Sequence, residues 1–404
     1  MKKLLSLLVA VLMVVTLFGC NNNNNNGGNN NNSASGPDTA TFEQLLEAGK
    51  KNGNKLTVYT THSVVNSALE AFMIKYAPGI DYEGTQIGDT TQVTQVAKEV
   101  KEGVKGADII FIQDGARVLT DLVEEGYVSN WYNKEIYDLV GEDCEPLLVW
   151  DYCNKVIMYN NGTESTFGEG QITNIWYCTD PQYAGALAMK DPGTEGVNMN
   201  FLVNLTADEN AKKLEAAYKA YYGKDITLDS DCPNAGYQFI KMMYKNGMVL
   251  GSSDSTIAKD IAAAEKKMSG LLTLNKYLKS RAKLDNDQWN LLYVTSEVNP
   301  VAGFIYPIYG LQVANADNPD LAKAFLIWLY SKEGWYGDGT LTCKDGSVYK
   351  GMQGRYGDYS GNTANPLADG DLPVKEWKKI LIQEDAKQAA ENRWKVEDFI
   401  QKIK

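Results

Sequence analysis

The sequence predicts an α/β protein built as two units, each a sheet flanked by helices. Three observations carry this. The chain has 404 residues and a mass of 44.6 kDa, more than one hydrophobic core ordinarily organises. Between residues 55 and 123 the apolar pattern switches three times from strand alternation to helical spacing, which specifies parallel strands joined by right-handed crossovers. A second region of mixed strand and helix patterns follows from residue 156. With 44% hydrophobic and 22% charged residues, most of the chain has the composition to build cores.

The first helix opens at Thr41-Phe42-Glu43-Gln44, a capping-box pattern, and Phe42, Leu45 and Leu46 supply its apolar stripe. Residues 55–60 (KLTVYT) read as a strand, and Val65, Leu69, Phe72 and Tyr76 follow at helical spacing until Pro78. Residues 80–86 form a second strand, followed by a helix carrying Val93, Val96, Ala97, Val100 and Val104. A third strand at 107–112 (ADIIFI) leads to a helix marked by Val118, Leu119, Leu122 and Val123.

Ligands of open α/β sheets lie beyond the carboxyl ends of the strands, where loops run into helix N-termini. That rule selects the loop Thr60, Thr61, His62 and Ser63, the loop Asp89, Thr90 and Thr91, and the pair Gln113 and Asp114. Their backbone NH groups and hydroxyls suit an anionic or strongly polar ligand. Taken singly, Ser63, Asp89 and Thr91 also read as helix caps.

Farther on, 147–150 and 156–159 read as strands leaving the first unit. Helical patterns recur at 208–222, 234–244 and 257–268, with strands at 271–274 and 291–295. Asn318 is a suitable N-cap and Pro319 suits the first helical position, ahead of a stripe of Leu321, Ala324, Phe325, Trp328 and Leu329. Trp377, Ile380, Leu381, Trp394, Phe399 and Ile400 read as two terminal helices bracing the two units.

The N-terminus reads as an export signal. Lys2 and Lys3 precede an uncharged, mostly apolar run over 4–18, short for a membrane-spanning helix. Leu17-Phe18-Gly19-Cys20 resembles the bacterial lipobox. The resemblance implies removal of 1–19 and diacylation of Cys20, and two acyl chains suffice for stable anchoring. The asparagine-rich stretch that follows, within 20–40, has nothing to bury and is expected to be a flexible tether. The body would then sit at the outer face of the cell membrane, or face the periplasm where two membranes exist.

Charge and residue counts exclude several chemistries. A formal net charge of −12 argues against nucleic acid as a partner. The chain has one histidine, His62, so a zinc site of two or three histidines is excluded and a Ser-His-Asp triad would have to use it. Beyond Cys20 stand Cys144, Cys153, Cys178, Cys232 and Cys343, with no CxxC. Buried structural cysteines and one or two disulfides both remain open, and no catalytic thiol is expected. Asp229-Ser230-Asp231 and Asp285-Asn286-Asp287 lack the glycine and glutamate of an EF-hand loop, and no Walker A motif occurs. No metal and no cofactor is expected.

Four segments carry a resemblance to a known family. They are KLTVYTTHSVVNSALEAF (55–72), ADIIFIQDG (107–115), TDPQYAGALAMKDPGTEG (179–196) and NPDLAKAFLIWLYSKEG (318–334). The third is similar to a D-P-x-Y-x-G-x-[IL]-A-M-x-D-P passage, the fourth to N-P-x-x-A-x-x-F-x-x-[FW]-L-x-S-x-E-G. Together they resemble the extracellular solute-binding proteins of bacterial ABC importers, of the type II periplasmic-binding-protein group that includes ferric-ion, sugar-phosphate, phosphonate and polyamine binders. The resemblance implies two lobes joined by crossover strands, with 41–155 and 300–345 in one lobe and 156–299 and 346–404 in the other. It implies a monomeric receptor, not an enzyme, that closes on a small polar, even anionic, solute and delivers it to a permease and its ATPase. It adds Gly193, Thr194 and Glu195, and Asn275 with Tyr277, as second-lobe ligand positions.

Ferric-binding members carry adjacent tyrosines near this last position. Here Thr273-Leu274-Asn275-Lys276-Tyr277 offers one, which argues against iron. An iron importer's binding protein nevertheless stays as the alternative function, and a surface glycan-active enzyme is a more distant one. Lys276 reads either as a partner for phosphate or carboxylate or as a solvated lysine, and His62 either as a ligand contact or as a structural histidine.

Overall fold

The computed structural model describes residues 37–160, 164–168, 170–276, 291–293 (backbone only) and 298–404. Cys20, Tyr277 and the Asp285-Asn286-Asp287 turn lie outside the described residues. In the first half of the fold, β1 (Leu56–Thr60), β2 (Tyr82–Gln86) and β3 (Ile109–Ile112) alternate with α1 (Phe42–Asn52), α2 (Val64–Tyr76), α3 (Asp89–Glu102) and the short α4 (Gly115–Arg117). β1 pairs in parallel with β2 on one side and β3 on the other, as the alternation requires. The Thr41 capping box is formed, with Gln44 N donating to the Thr41 hydroxyl and Thr41 N to the Gln44 side chain. Short β4 (Val128–Ser129) and α5 (Lys134–Val140) follow.

Two long strands at the centre join this half to the next. β5 (Val149–Asn160) is buried along its whole length. The sequence suggested two strands here, because Asp151, Asn154 and Lys155 interrupt the apolar pattern. Those polar residues are themselves fully buried, and the strand runs through them. Its antiparallel neighbour β10 (Gly303–Val313) was not legible as a strand, since Pro307 sits in its middle.

The second half comprises β6 (Leu187–Lys190), α6 (Gly196–Leu205), α7 (Asp208–Tyr222), α8 (Ala235–Lys245), β7 (Val249–Gly251), α9 (Asp254–Ala263), β8 (Ser269–Thr273) and β9 (Leu291–Tyr293). The expected helix at 257–268 starts and ends earlier, because the Ser253 hydroxyl accepts from Thr256 N at 3.1 Å and caps it at that point. After β10 come α10 (Pro319–Tyr330), α11 (Lys332–Tyr336), β11 (Asp358–Ser360), α12 (Val374–Ile380), β12 (Ile382–Gln383) and α13 (Ala386–Ile403). Asn318 caps α10 and Pro319 occupies its first turn.

Among the described residues the strands form one mixed sheet in the order β2-β1-β3-β10-β5-β8-β6-β7, with β9 and β11 on β5 and β4 and β12 on β10. β8, β6 and β7 are parallel to one another, so the second half repeats the logic of the first. Aromatic packing seals α10 against α2: Phe72 lies 5.3 Å from Phe325 and 5.5 Å from Trp328, centroid to centroid. Trp377, Phe399 and Ile400 are buried as expected, but Trp394 on α13 is 65% exposed, because it points off the buried stripe. Cys144, Cys153, Cys178, Cys232 and Cys343 are all free thiols, and the first four are buried. No helix of the described residues is long and apolar enough to cross a membrane.

Candidate functional site

The carboxyl ends of the parallel strands in both halves converge on one cleft of about 540 Å³. From the first half come Thr61, His62 and Ser63 after β1, Gln86 and Gly88 after β2, and Gln113 after β3. From the second come Lys190 and Glu195 around the β6–α6 turn, Asp254 at the start of α9, and Thr273, Asn275 and Lys276 after β8. The central strands, the start of β11 and the segment before it form the floor, through Cys153, Asn154, Tyr306, Asp358 and Arg355.

The remaining residues selected from sequence fall behind or beside this cleft. Thr60 does not line it: the hydroxyl is fully buried, accepts from His62 N at 2.9 Å and donates to His62 O at 3.1 Å, so it shapes the loop. Asp89 is buried and accepts from the Gln113 side chain at 3.1 Å, while Thr90 and Thr91 are exposed on α3. Asp114 is fully buried, accepting from Arg393 of α13 at 2.8 Å and from Asn200 of α6 at 3.1 Å. Gly193 and Thr194 are exposed and lie in a turn closed on Asp191, away from the lining. Tyr277 lies outside the described residues.

Two charge clusters dominate the cleft. On the second-half wall, Lys155 is fully buried; its Nζ donates to Asn198 Oδ1 at 2.9 Å and lies 3.5 Å from both Glu195 Oε1 and Asp254 Oδ2. Glu195 is also paired with Lys190. Burial alone would lower the Lys155 pKa, but Asp254 and Glu195 outweigh it and the ammonium is held above its usual range. At the floor, Asp358 Oδ1 lies 2.9 Å from His62 Nε2, and Arg355 Nε donates to Asp358 Oδ2 at 3.1 Å. Burial opposes ionisation of Asp358, yet Arg355 and His62 hold its carboxyl well below the usual range. Asp151 behind it is pushed the other way, by burial and by the Asp358 charge.

Asp89 is pushed up to about 7 by burial and by the charges of Asp114 and Glu195. Buried acceptors in the lining also lack a protein partner, namely Asn154 Oδ1 and Asp254 Oδ1. Sequence reading missed Arg355, Asp358, Lys155 and Asp254. Lys155 was missed because it falls between the two apolar stretches read as separate strands, and a buried lysine is rare without charge partners that lie far away in sequence.

No protein-family model matches the chain, and no curated protein matches it in sequence. Solved structures do match in fold. Iron-bound HitA from Pseudomonas aeruginosa superposes with a TM-score of 0.62 at 14% identity, covering 87% of this chain and 99% of that one. The fold is that of the periplasmic binding proteins. The periplasmic binding protein AfuA from Actinobacillus pleuropneumoniae, with fructose 6-phosphate bound, gives 0.58 at 18% identity over 86% and 97%. A substrate-binding protein of an ABC transporter from Agrobacterium tumefaciens gives 0.56 at 13% identity over 87% and 94%. β10 and β5 lie between β3 and β8 in the sheet and so link its two halves, and the cleft is lined from both halves.

Proposed function

We propose that the chain is the solute receptor of an ABC importer: it captures one small polar solute in this cleft and passes it unchanged to a permease and its ATPase. The observation that carries the reading is the convergence of loops from both halves of the sheet on a single polar cleft. A solute held there contacts both halves and so favours their closed arrangement, which distinguishes loaded from empty protein. Structures sharing the fold include an iron-bound protein, a sugar-phosphate-bound protein and an ABC-transporter substrate-binding protein.

The lining refines the solute. Lys155 and Lys190 already neutralise Glu195 and Asp254, and Arg355 neutralises Asp358, so the cleft does not demand a strongly charged occupant. Arg355, whose side chain is 29% exposed, can take an anionic group, while the cleft's hydroxyl and amide side chains Thr61, Ser63, Gln113 and Asn275 suit a polar solute. Among the described lining residues Tyr306 is the one tyrosine, and the lining also carries Lys190, Lys276 and Arg355, which argues against a ferric-ion receptor. A glycan-active enzyme needs two carboxyls free to act on the substrate. The lining carboxyls Glu195, Asp254 and Asp358 are each engaged by a lysine or an arginine, which argues against that reading.

We assign 41–155 with 300–345 to one lobe and 156–299 with 346–404 to the other, and Cys20 to a lipid anchor that keeps a monomeric receptor at the outer membrane face. Thermal unfolding against sugar phosphates, phosphonates, free sugars, polyamines and ferric citrate tests the function. One class should raise the melting temperature with a stoichiometry of one, because a ligand of the native state adds RT ln(1 + [L]/Kd). No shift with any class counts against the reading.

A further inference from the structure

Beneath the cleft, four different donor types meet at one point. Asp151 and Cys153 alternate on β5 and therefore share a face. Antiparallel pairing sets Asp358 of β11 directly opposite Cys153. The loop after β1 brings His62 over the same spot. One donor atom from each of these residues lies within 4.8 Å of every other. Three of the separations are shorter: His62 Nε2 to Asp358 Oδ1 is 2.9 Å, Cys153 Sγ to Asp358 Oδ1 is 3.5 Å, and Cys153 Sγ to Asp151 Oδ2 is 3.6 Å. Bond lengths of about 2.0 to 2.3 Å place tetrahedral zinc ligands roughly 3.3 to 3.7 Å apart, so His62 and Asp358 need to open slightly while the widest pairs draw in.

We propose that His62, Asp151, Cys153 and Asp358 form a site for one divalent cation of borderline softness, with zinc the best match. The donor set of one imidazole, one thiolate and two carboxylates suits Zn²⁺ and not a hard trivalent ion. The remaining oxygens are already oriented. Tyr359 N donates to Asp151 Oδ1 at 2.9 Å, and Arg355 Nε takes Asp358 Oδ2, which leaves Asp151 Oδ2 and Asp358 Oδ1 for the ion. Arg355 Nη2, 3.2 Å from His62 Nε2, gives up that contact when the ion binds. Its side chain is 29% exposed and can turn into the cleft. His62, Cys153 and Asp358 line the cleft, so an ion has a way in. Four protein donors make a closed site, whose effect is to tie the β1–α2 loop to β5 and β11.

The test uses the full chain, stripped with a chelator and titrated with Co²⁺, with no solute present, so its outcome is independent of the transport reading. A thiolate-to-cobalt charge-transfer band is expected to saturate at one ion per chain and to disappear when Zn²⁺ is added. Cys153→Ser is expected to abolish the band and His62→Gln to weaken Co²⁺ binding at least tenfold. Cys232→Ser, at a buried thiol beside the exposed Asp229 and Asp231, should leave it unchanged. Zn²⁺ should also raise the melting temperature of the native chain. Should Cys153→Ser fail to fold, Asp358→Asn serves instead, with the same loss of zinc-dependent stabilisation expected. Absence of the band in the native chain, or its persistence in Cys153→Ser, overturns the proposal.

Discussion

Replacing Lys155 with methionine isolates the buried charge cluster that builds the second-half wall of the cleft. The ammonium sits at full burial between Glu195 and Asp254, at 3.5 Å from each, with Asn198 Oδ1 at 2.9 Å. Methionine fills most of the volume but removes the charge. Glu195 keeps Lys190, whereas Asp254 loses its cation while its side chain remains only 10% exposed. Breaking a buried pair from one side costs about 3 to 5 kcal/mol, because it strands the partner's charge. Equilibrium urea unfolding followed by tryptophan fluorescence should show a loss of that size in Lys155→Met. Adding Asp254→Asn removes the stranded charge, so the double variant should recover about 1 to 3 kcal/mol relative to additivity. A single variant within about 1 kcal/mol of the native chain, or a double variant with strictly additive losses, would refute the reasoning.

Further expectations follow from the same geometry. Burial and the charges of Asp114 and Glu195 push the Asp89 carboxyl up to about 7 in the folded chain, against an ordinary value of 3.8, so the folded state binds more protons between those values. Stability should therefore fall as pH rises through that window, by on the order of 4 kcal/mol from this group, and Asp89→Asn should flatten the fall in urea midpoints measured from pH 4 to 8. A Cβ at Gly196, the first residue of α6, would collide with the Asp114 carboxylate. Gly196→Ala should cost about 1 to 3 kcal/mol in the same unfolding assay and loosen the Asp114–Arg393 contact. Phe325→Ala empties the cluster shared with Phe72 and Trp328 and should cost about 3 to 5 kcal/mol, with solute affinity unchanged. Arg355→Ala should weaken solute binding at least tenfold in calorimetry while the native circular dichroism is retained.

The first half of the fold was readable because local signals agreed: the Thr41 capping box, the KLTVYT strand and the Asn318-Pro319 helix start all act over a few residues. The centre was harder. β5 carries Asp151, Asn154 and Lys155 inside the core, where Tyr359 N donates to Asp151, Tyr359 Oη accepts from the Asn154 amide NH2, and Asn198 with two carboxylates surrounds Lys155. No sequence pattern announces such partners, since Tyr359 lies more than two hundred positions from Asp151. The strand-end rule located Thr61, His62, Ser63 and Gln113 on the cleft, and the family resemblance added Glu195 and Asn275. The rule failed for Thr90 and Thr91, because the first turn of a helix offers several polar positions and only some face inward, and the resemblance failed for Gly193 and Thr194, which sit in an exposed turn before α6. Arg355 and Asp358 reach the floor from a segment with no periodic pattern, placed there by β11 pairing with β5.

Native mass spectrometry of the gently purified protein addresses the capture of a solute most directly. One small molecule per chain should accompany the folded protein, leave with unaltered mass on denaturation, and be missing from Arg355→Ala. A chain that carries no adduct and takes up none from any solute class, or that releases a chemically changed molecule, contradicts the account.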